Sequence, residues 1–173
     1  MASFETSVQV PTNCSLRVLC CATALPGSAA AQTAKDLVGT WTLVSNDVTP
    51  PNGSKRQDFG ANPKGILIFD AGGRYVAVTM KPGRPKFKDS GNARVDTPAA
   101  EYGEAARAFA ANFGTWSVNE ADKTLMRRLE VALIPNAEGT EQKASVTVTA
   151  DELKLVTTAS TGVRTDAVYR RAR

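Results

Sequence analysis

Gly65-Ile-Leu-Ile-Phe-Asp70-Ala-Gly-Gly73-Arg-Tyr-Val-Ala-Val-Thr-Met-Lys81 is the stretch on which the fold turns. Two runs rich in β-branched and aromatic residues, Gly65–Asp70 and Arg74–Lys81, flank Asp70-Ala-Gly-Gly73, whose Gly and Asp residues tolerate the positive φ of a tight hairpin turn. Outward from this hairpin the same pattern repeats. Gly39–Val48 precedes it, and Gly114–Asn119, Thr124–Leu133, Gln142–Ala150, Leu153–Ser160 and Thr165–Arg171 follow, with turn chemistry at Asn119–Lys123, Ala150–Glu152 and Thr161-Gly162. Short strands at regular spacing predict a mainly β domain, an antiparallel barrel of about eight strands in up-and-down order.

Only one segment has helical period. Thr97 suits a cap and Pro98 a first helical position, after which Tyr102, Ala106, Phe109 and Phe113 recur at i, i+4, i+7 and i+11. This predicts one amphipathic helix inserted between the third and fourth strands, with Glu104 and Arg107 spaced to pair weakly on its outer side. The preceding segment Lys81–Asp96 carries Pro82, Gly83, Pro85 and Gly91 and reads as a long irregular loop, either a lid or a mobile insertion.

The first 31 of the 173 residues differ from the rest. Val18–Leu25 is a short apolar run behind Arg17, and Pro26-Gly-Ser-Ala-Ala-Ala31 offers an Ala-x-Ala cleavage site before Gln32. Residues 1–31 thus read as a signal peptide or a disordered tail, and 32–173 as the barrel domain, with a periplasmic or secreted location expected. The long stretch before Arg17 carries Glu5 and lacks clustered positive charge, which is atypical of a signal. Cys14, Cys20 and Cys21 all fall in that leader, so the domain has no thiol with which to build a disulfide or a soft-metal site.

Composition removes several functions. The chain has no His, so a Ser-His-Asp triad, a Cys-His pair and a His-ligated zinc site cannot be built from it. No apolar run reaches the roughly 20 residues of a membrane-spanning helix. No Asp-x-Asp loop suggests a hard-metal site, and no cofactor is expected. Lys81, Arg84, Lys86 and Lys88 crowd around Phe87, but the net charge is only +4, so nucleic acid is not an expected partner and the loop suits an anionic ligand or surface better.

Gly39-Thr-Trp41 recurs as Gly114-Thr-Trp116, and in each the Gly allows a sharp entry into a strand whose Trp turns inward to close one barrel end. Leu37–Ser45, Pro63–Tyr75, Tyr102 with Phe113–Trp116, and Leu133–Gln142 together resemble the small bacterial lipocalin-like domains over roughly residues 35–172. The resemblance implies a barrel with an interior cavity, of the kind that holds small apolar ligands in the wider superfamily. It also implies that Arg170 or Arg171 stacks on Trp41 through a cation–π contact. The insertion Lys81–Phe113 departs from the general pattern, and no catalytic motif accompanies the resemblance.

Eight strands close around either packed side chains or one small ligand. Leu43 and Ser45 share the face of Trp41, and on the third strand either Tyr75, Ala77 and Thr79 or Val76, Val78 and Met80 face inward; the first set would leave room and hydrogen-bonding capacity. On the fifth strand Arg128 and Glu130 lie with Met126, opposite Leu125, Leu129, Val131 and Leu133. That face is either solvated, with an exposed ion pair, or interior, where it would orient a polar ligand head. The candidate ligand-binding set is therefore Trp41, Leu43, Tyr75, Ala77, Tyr102, Phe109, Trp116, Arg128 and Glu130, with a small hydrophobic molecule as the expected partner. Two other functions fit the residues: an isomerase or cyclase using Glu, Tyr and Arg, and a packed barrel serving as an interaction module for a protein or an anionic surface.

Overall fold

The computed structural model describes residues 34–88, 91 and 97–173. The expected signal segment lies outside the described residues, as does most of the second half of the Lys81–Asp96 loop.

A short helix α1 (Ala34–Leu37) leads into β1 (Gly39–Thr49), followed by β2 (Lys64–Phe69), β3 (Arg74–Met80), helix α2 (Ala99–Arg107), β4 (Phe109–Asn119), β5 (Thr124–Ala132), a 3-10 turn at Pro135–Ala137, β6 (Glu141–Val148), β7 (Glu152–Thr158) and β8 (Arg164–Arg171). Each strand pairs antiparallel with the next and β8 returns to β1, closing an eight-stranded barrel in which no edge is left open. The register climbs as it passes round the wall: Trp41 at the base of β1 pairs with Leu67, Leu67 with Ala77, Ala77 with Asn112, and Asn112 with Ala132 near the rim. This is the stagger that closure of tilted strands requires.

Alternation sorts the residues. Trp41, Leu67, Phe69, Tyr75, Leu125, Leu129 and Leu153 point inward and are almost wholly buried, joined by Leu43, Val146, Leu155 and Tyr169. The outer face of β2 to β5 is also apolar. Val76 pairs with Phe113 and Phe113 with Val131, and with Ile66 and Leu133 these residues remain 39–44% exposed.

Three expectations are corrected here. The helix ends at Arg107, and Phe109 and Phe113 belong to β4, which starts five residues earlier than expected because Phe109–Phe113 pair with Met80–Val76. The helical period through those residues is real but is outcompeted by the ladder hydrogen bonds. Pro98, not Thr97, stands at the helix cap, and no side chain caps it. The register of β1 with β8 skips Val44, so beyond this bulge Asn46, opposite the buried Ala167, takes the inward position assigned to Ser45.

Candidate functional site

Gly39, with φ of 134°, lets the chain turn from α1 into β1, and Trp41 two residues later fills the base with no exposed surface. Its Nε1 donates to the Leu37 carbonyl at 2.9 Å, tying α1 beneath the barrel. Arg171, of the two candidates, lies over the Trp41 ring, its Cζ 4.1 Å from the centroid. The same guanidinium donates to the carbonyls of Ala150, Val38 and Asp36 at 2.7, 3.1 and 2.7 Å. A Cβ on Gly39 would sit 2.9 Å from Arg171 Nη1, so the missing side chain is also the space through which the arginine passes. Trp116 closes the other side of the base: it packs 5.0 Å from Phe69, and its Nε1 donates to the Asp70 carbonyl at 3.2 Å. Gly114 serves differently from Gly39, since a Cβ there would lie 1.9 Å from the Arg128 carbonyl oxygen.

Above this base the interior changes character. Tyr75, Ala77 and Thr79 are the inward set of β3, leaving Val76 exposed on the outside. The inward positions nearer the rim include Val48, which is buried opposite Thr165; the others, Asn46, Gly65, Thr79, Ala110, Asn112, Ala132, Gln142, Thr157 and Thr165, are small or polar and partly exposed. Solvent therefore reaches them from the end opposite Trp41, where the connections 50–63, 81–108, 133–140 and 159–163 lie.

Arg128 and Glu130 stand on the outer surface. Glu130 accepts from Arg74 Nη1 and Nη2 at 2.6 and 2.8 Å, and this pair holds the Glu130 carboxyl below its ordinary range. The expected exposed ion pair thus forms with Arg74, not with Arg128. The arginine that enters the barrel is Arg127. It alternates with buried Leu125 and Leu129, its Cζ lies 5.6 Å from the Tyr75 ring centroid, and its Nη2 donates to Gln142 Oε1 at 3.1 Å. That alternation was legible: Arg127 occupies the parity of the two leucines, and reading it required only treating a charged residue as a member of the apolar face. Burial raises the phenol pKa of both Tyr75 and Tyr169, with the positive charge of Arg127 acting against it, so both hydroxyls remain protonated donors at neutral pH.

Tyr102 and Phe109 gather outside the wall. Phe109 opens β4 opposite Met80, Arg84 lies 5.4 Å from its ring centroid, and Phe87 stacks on Tyr102 at 6.1 Å. Arg84, Phe87, Tyr102, Ala106, Phe109 and Leu133 line a cavity of about 290 Å³ there. Of the nine candidates, then, Leu43, Tyr75 and Ala77 share the interior; Trp41 and Trp116 form its floor; Tyr102 and Phe109 belong to the α2 cluster; and Arg128 and Glu130 face solvent. Asn112 escaped notice because its segment reads as helix, and Gln142 and Thr157 because isolated polar residues in strands carry no distinctive spacing.

No curated protein sequence matches the chain. Among solved structures it is similar to a redesigned β-barrel, at 14% identity and TM-score 0.44 over 84% of this chain and 100% of that one. It is also similar to secretory abundant heat soluble protein 4 of Ramazzottius varieornatus, at 17% identity and TM-score 0.40 over 82% and 99% of the two chains. A mutant of the fluorescent protein UnaG aligns at 14% identity and TM-score 0.37 over 80% and 97%. Residues 38–169 match the lipocalin-like domain family, a span running from the residue before Gly39-Thr-Trp41 to Tyr169 of the last strand. The chain belongs to the lipocalin-like domain family.

Proposed function

We propose that this protein binds one small, mainly hydrophobic molecule in the upper half of the barrel, entering at the end opposite Trp41. The observation that carries this is the contrast along the barrel axis: inward side chains are tightly buried at the base but, Val48 apart, are small or polar and partly exposed toward the rim. Leu43, Ala77, Leu129 and Ala167 supply apolar wall, while Thr79, Asn112, Gln142 and Thr165 supply hydrogen-bonding groups that orient a ligand. The Glu–Tyr arrangement that an isomerase would need is not assembled, since Glu130 and Tyr75 lie on opposite faces of the wall, and this favours binding over catalysis. We further propose export with removal of residues 1–31; mass spectrometry of the protein recovered from its producing cells should then find Gln32 at the N-terminus.

Titration with the neutral apolar dye Nile red tests binding, because Trp41 and Trp116 at the floor report a bound dye by energy transfer. Saturable one-to-one binding is expected, and its absence in folded protein overturns the proposal. A second reading, an interaction module, is favoured by the apolar outer row Val76–Phe113–Val131. Under that reading Phe113→Ser abolishes concentration-dependent association in sedimentation and leaves dye binding unchanged.

A further inference from the structure

Outside the barrel wall, the chain leaving β3 forms a strap fastened along α2 and the start of β4. Lys81 N donates to the Ala108 carbonyl at 2.9 Å, Arg84 lies 5.4 Å from the Phe109 ring centroid, Phe87 stacks on Tyr102 at 6.1 Å, and Lys88 N donates to Glu101 Oε1 at 3.0 Å. Two cavities flank this strap and share Arg84, Phe87 and Ala105. One is the cavity of about 290 Å³ against Tyr102, Phe109 and Leu133, whose walls are aromatic and aliphatic. The other measures about 640 Å³ and gathers Lys64, Lys81, Arg84 and Lys86 beside Met80. Lys64 is remote from the strap in sequence. Strand register brings it there, since Lys64 pairs with Met80 and Met80 with Phe109 on the outer face of the rim.

The charge in the larger cavity is uncompensated. No Asp or Glu is among its described lining residues, and among the described residues none of its four cations takes part in an ion pair. The carboxylates of α2 are engaged elsewhere, Glu101 by Lys88 N and Glu104 by Arg107 Nη1 at 2.6 Å. Cations held together without a counter-charge repel one another, and a multiply charged anion is attracted to all of them at once. The adjoining aromatic lobe favours a flat apolar group by burial and ring stacking. We propose that this two-lobed groove is a second binding site, outside the barrel, for an aromatic phosphate. Its ring lies in the lobe of Phe87, Tyr102 and Phe109, its phosphate in the lobe of Lys64, Lys81 and Lys86, and Arg84 stands between them. Charge and shape select the class. A dianion draws about twice the Coulomb attraction of a carboxylate from each cation, and three lysine ammoniums act as separate point charges suited to phosphate oxygens, where a carboxylate would engage only the single arginine fork.

Equilibrium dialysis of the full-length protein at pH 7.5 and about 10 mM NaCl, where electrostatic attraction reaches about 30 Å, compares 1-naphthyl phosphate with 1-naphthol and with inorganic phosphate. The aryl phosphate is expected to bind at least tenfold tighter than either fragment, and its advantage over 1-naphthol should vanish in 1 M NaCl, where that reach falls to about 3 Å. Lys64 and Lys86 are exposed, so Lys64→Gln combined with Lys86→Gln leaves the core untouched. This double variant should weaken the aryl phosphate at least fivefold while 1-naphthol stays within twofold. The inference does not rest on the interior binding function. Protein saturated with Nile red should bind the aryl phosphate with unchanged affinity, and the lysine variant locates the site whether or not Nile red binds. Equal binding of aryl phosphate and 1-naphthol, an advantage that survives the lysine substitutions, or displacement by Nile red overturns the proposal. So does a protein that ignores the aryl phosphate yet floats with phosphatidylcholine vesicles containing one-fifth phosphatidic acid, since the cations would then serve a membrane surface.

Discussion

Removing the Arg171 side chain should loosen the barrel at its base by an amount that the contacts allow to be worked out. Arg171→Ala deletes three charge-assisted hydrogen bonds and a cation at 4.1 Å from the Trp41 ring centroid. The bonds to Ala150 and Asp36 are exposed, and the one to Val38 is partly buried. Taking about 0.5 kcal/mol for each exposed bond and about 1.5 for the shielded one, the three bonds contribute roughly 2.5 kcal/mol. A partly desolvated cation–π contact adds about 1 kcal/mol. The sum of about 3.5 kcal/mol corresponds to a fall in Tm of roughly 10 °C for a domain of this size. Thermal and urea unfolding followed by tryptophan fluorescence reads the change directly, since both tryptophans sit at the affected end. A double-mutant cycle with Trp41→Phe should then return a coupling of about 1 kcal/mol between the two side chains. A Tm lowered by less than about 3 °C, or a coupling indistinguishable from zero, would refute the idea that Arg171 fastens the base.

Gly114 and Gly139 should respond differently to alanine. Gly114→Ala forces a methyl onto the Arg128 carbonyl and should cost about 3 kcal/mol or more, whereas Gly139→Ala, with φ of 75° but nothing within 4 Å, should cost only about 1 kcal/mol in urea unfolding. On the alkaline side, Tyr75 and Tyr169 have folded pKa values raised by burial above the ordinary 10.0, so their neutral forms stabilise the fold fully below pH 10. That contribution is lost as pH rises through the raised values, and absorbance titration should show two phenols ionising late, together with unfolding. On the acid side, the Glu130 pKa is lowered from 4.5 by Arg74, so its contribution is present above pH 4.5 and is lost as pH falls through the lowered value. Glu130→Gln should flatten the acid limb of the stability profile, and an unchanged limb would show that the Arg74 pair contributes nothing.

The strands were readable because period-two alternation and the turns between them agree, as at Phe69-Asp70 through Gly73-Arg74, where hairpin chemistry and apolar runs leave one solution. The helix was over-extended for a specific reason. Tyr102, Ala106, Phe109 and Phe113 satisfy a helical period, and only the hydrogen-bonded partners on β3, remote in sequence, decide that the last two belong to a strand. Parity was lost at the two bulges, beyond Val44 and at Glu130, where one additional residue exchanges inside for outside and no local residue type announces it. Arg127 was different. Its position between Leu125 and Leu129 was visible, but a charged residue on an apolar face looks like an error until the barrel interior is seen to admit solvent.

The β1–β8 seam and the Arg171 clasp join residues up to 135 positions apart. Closing so long a loop comes late in folding, because its entropy is spent before any contact across it is made. Until the eight-residue β8 takes its place between them, β1 and β7 both display unpaired backbone. A chain interrupted within β8 would be left with two sticky edges and an uncovered Trp41, a ready substrate for aggregation or for capture by holdase chaperones.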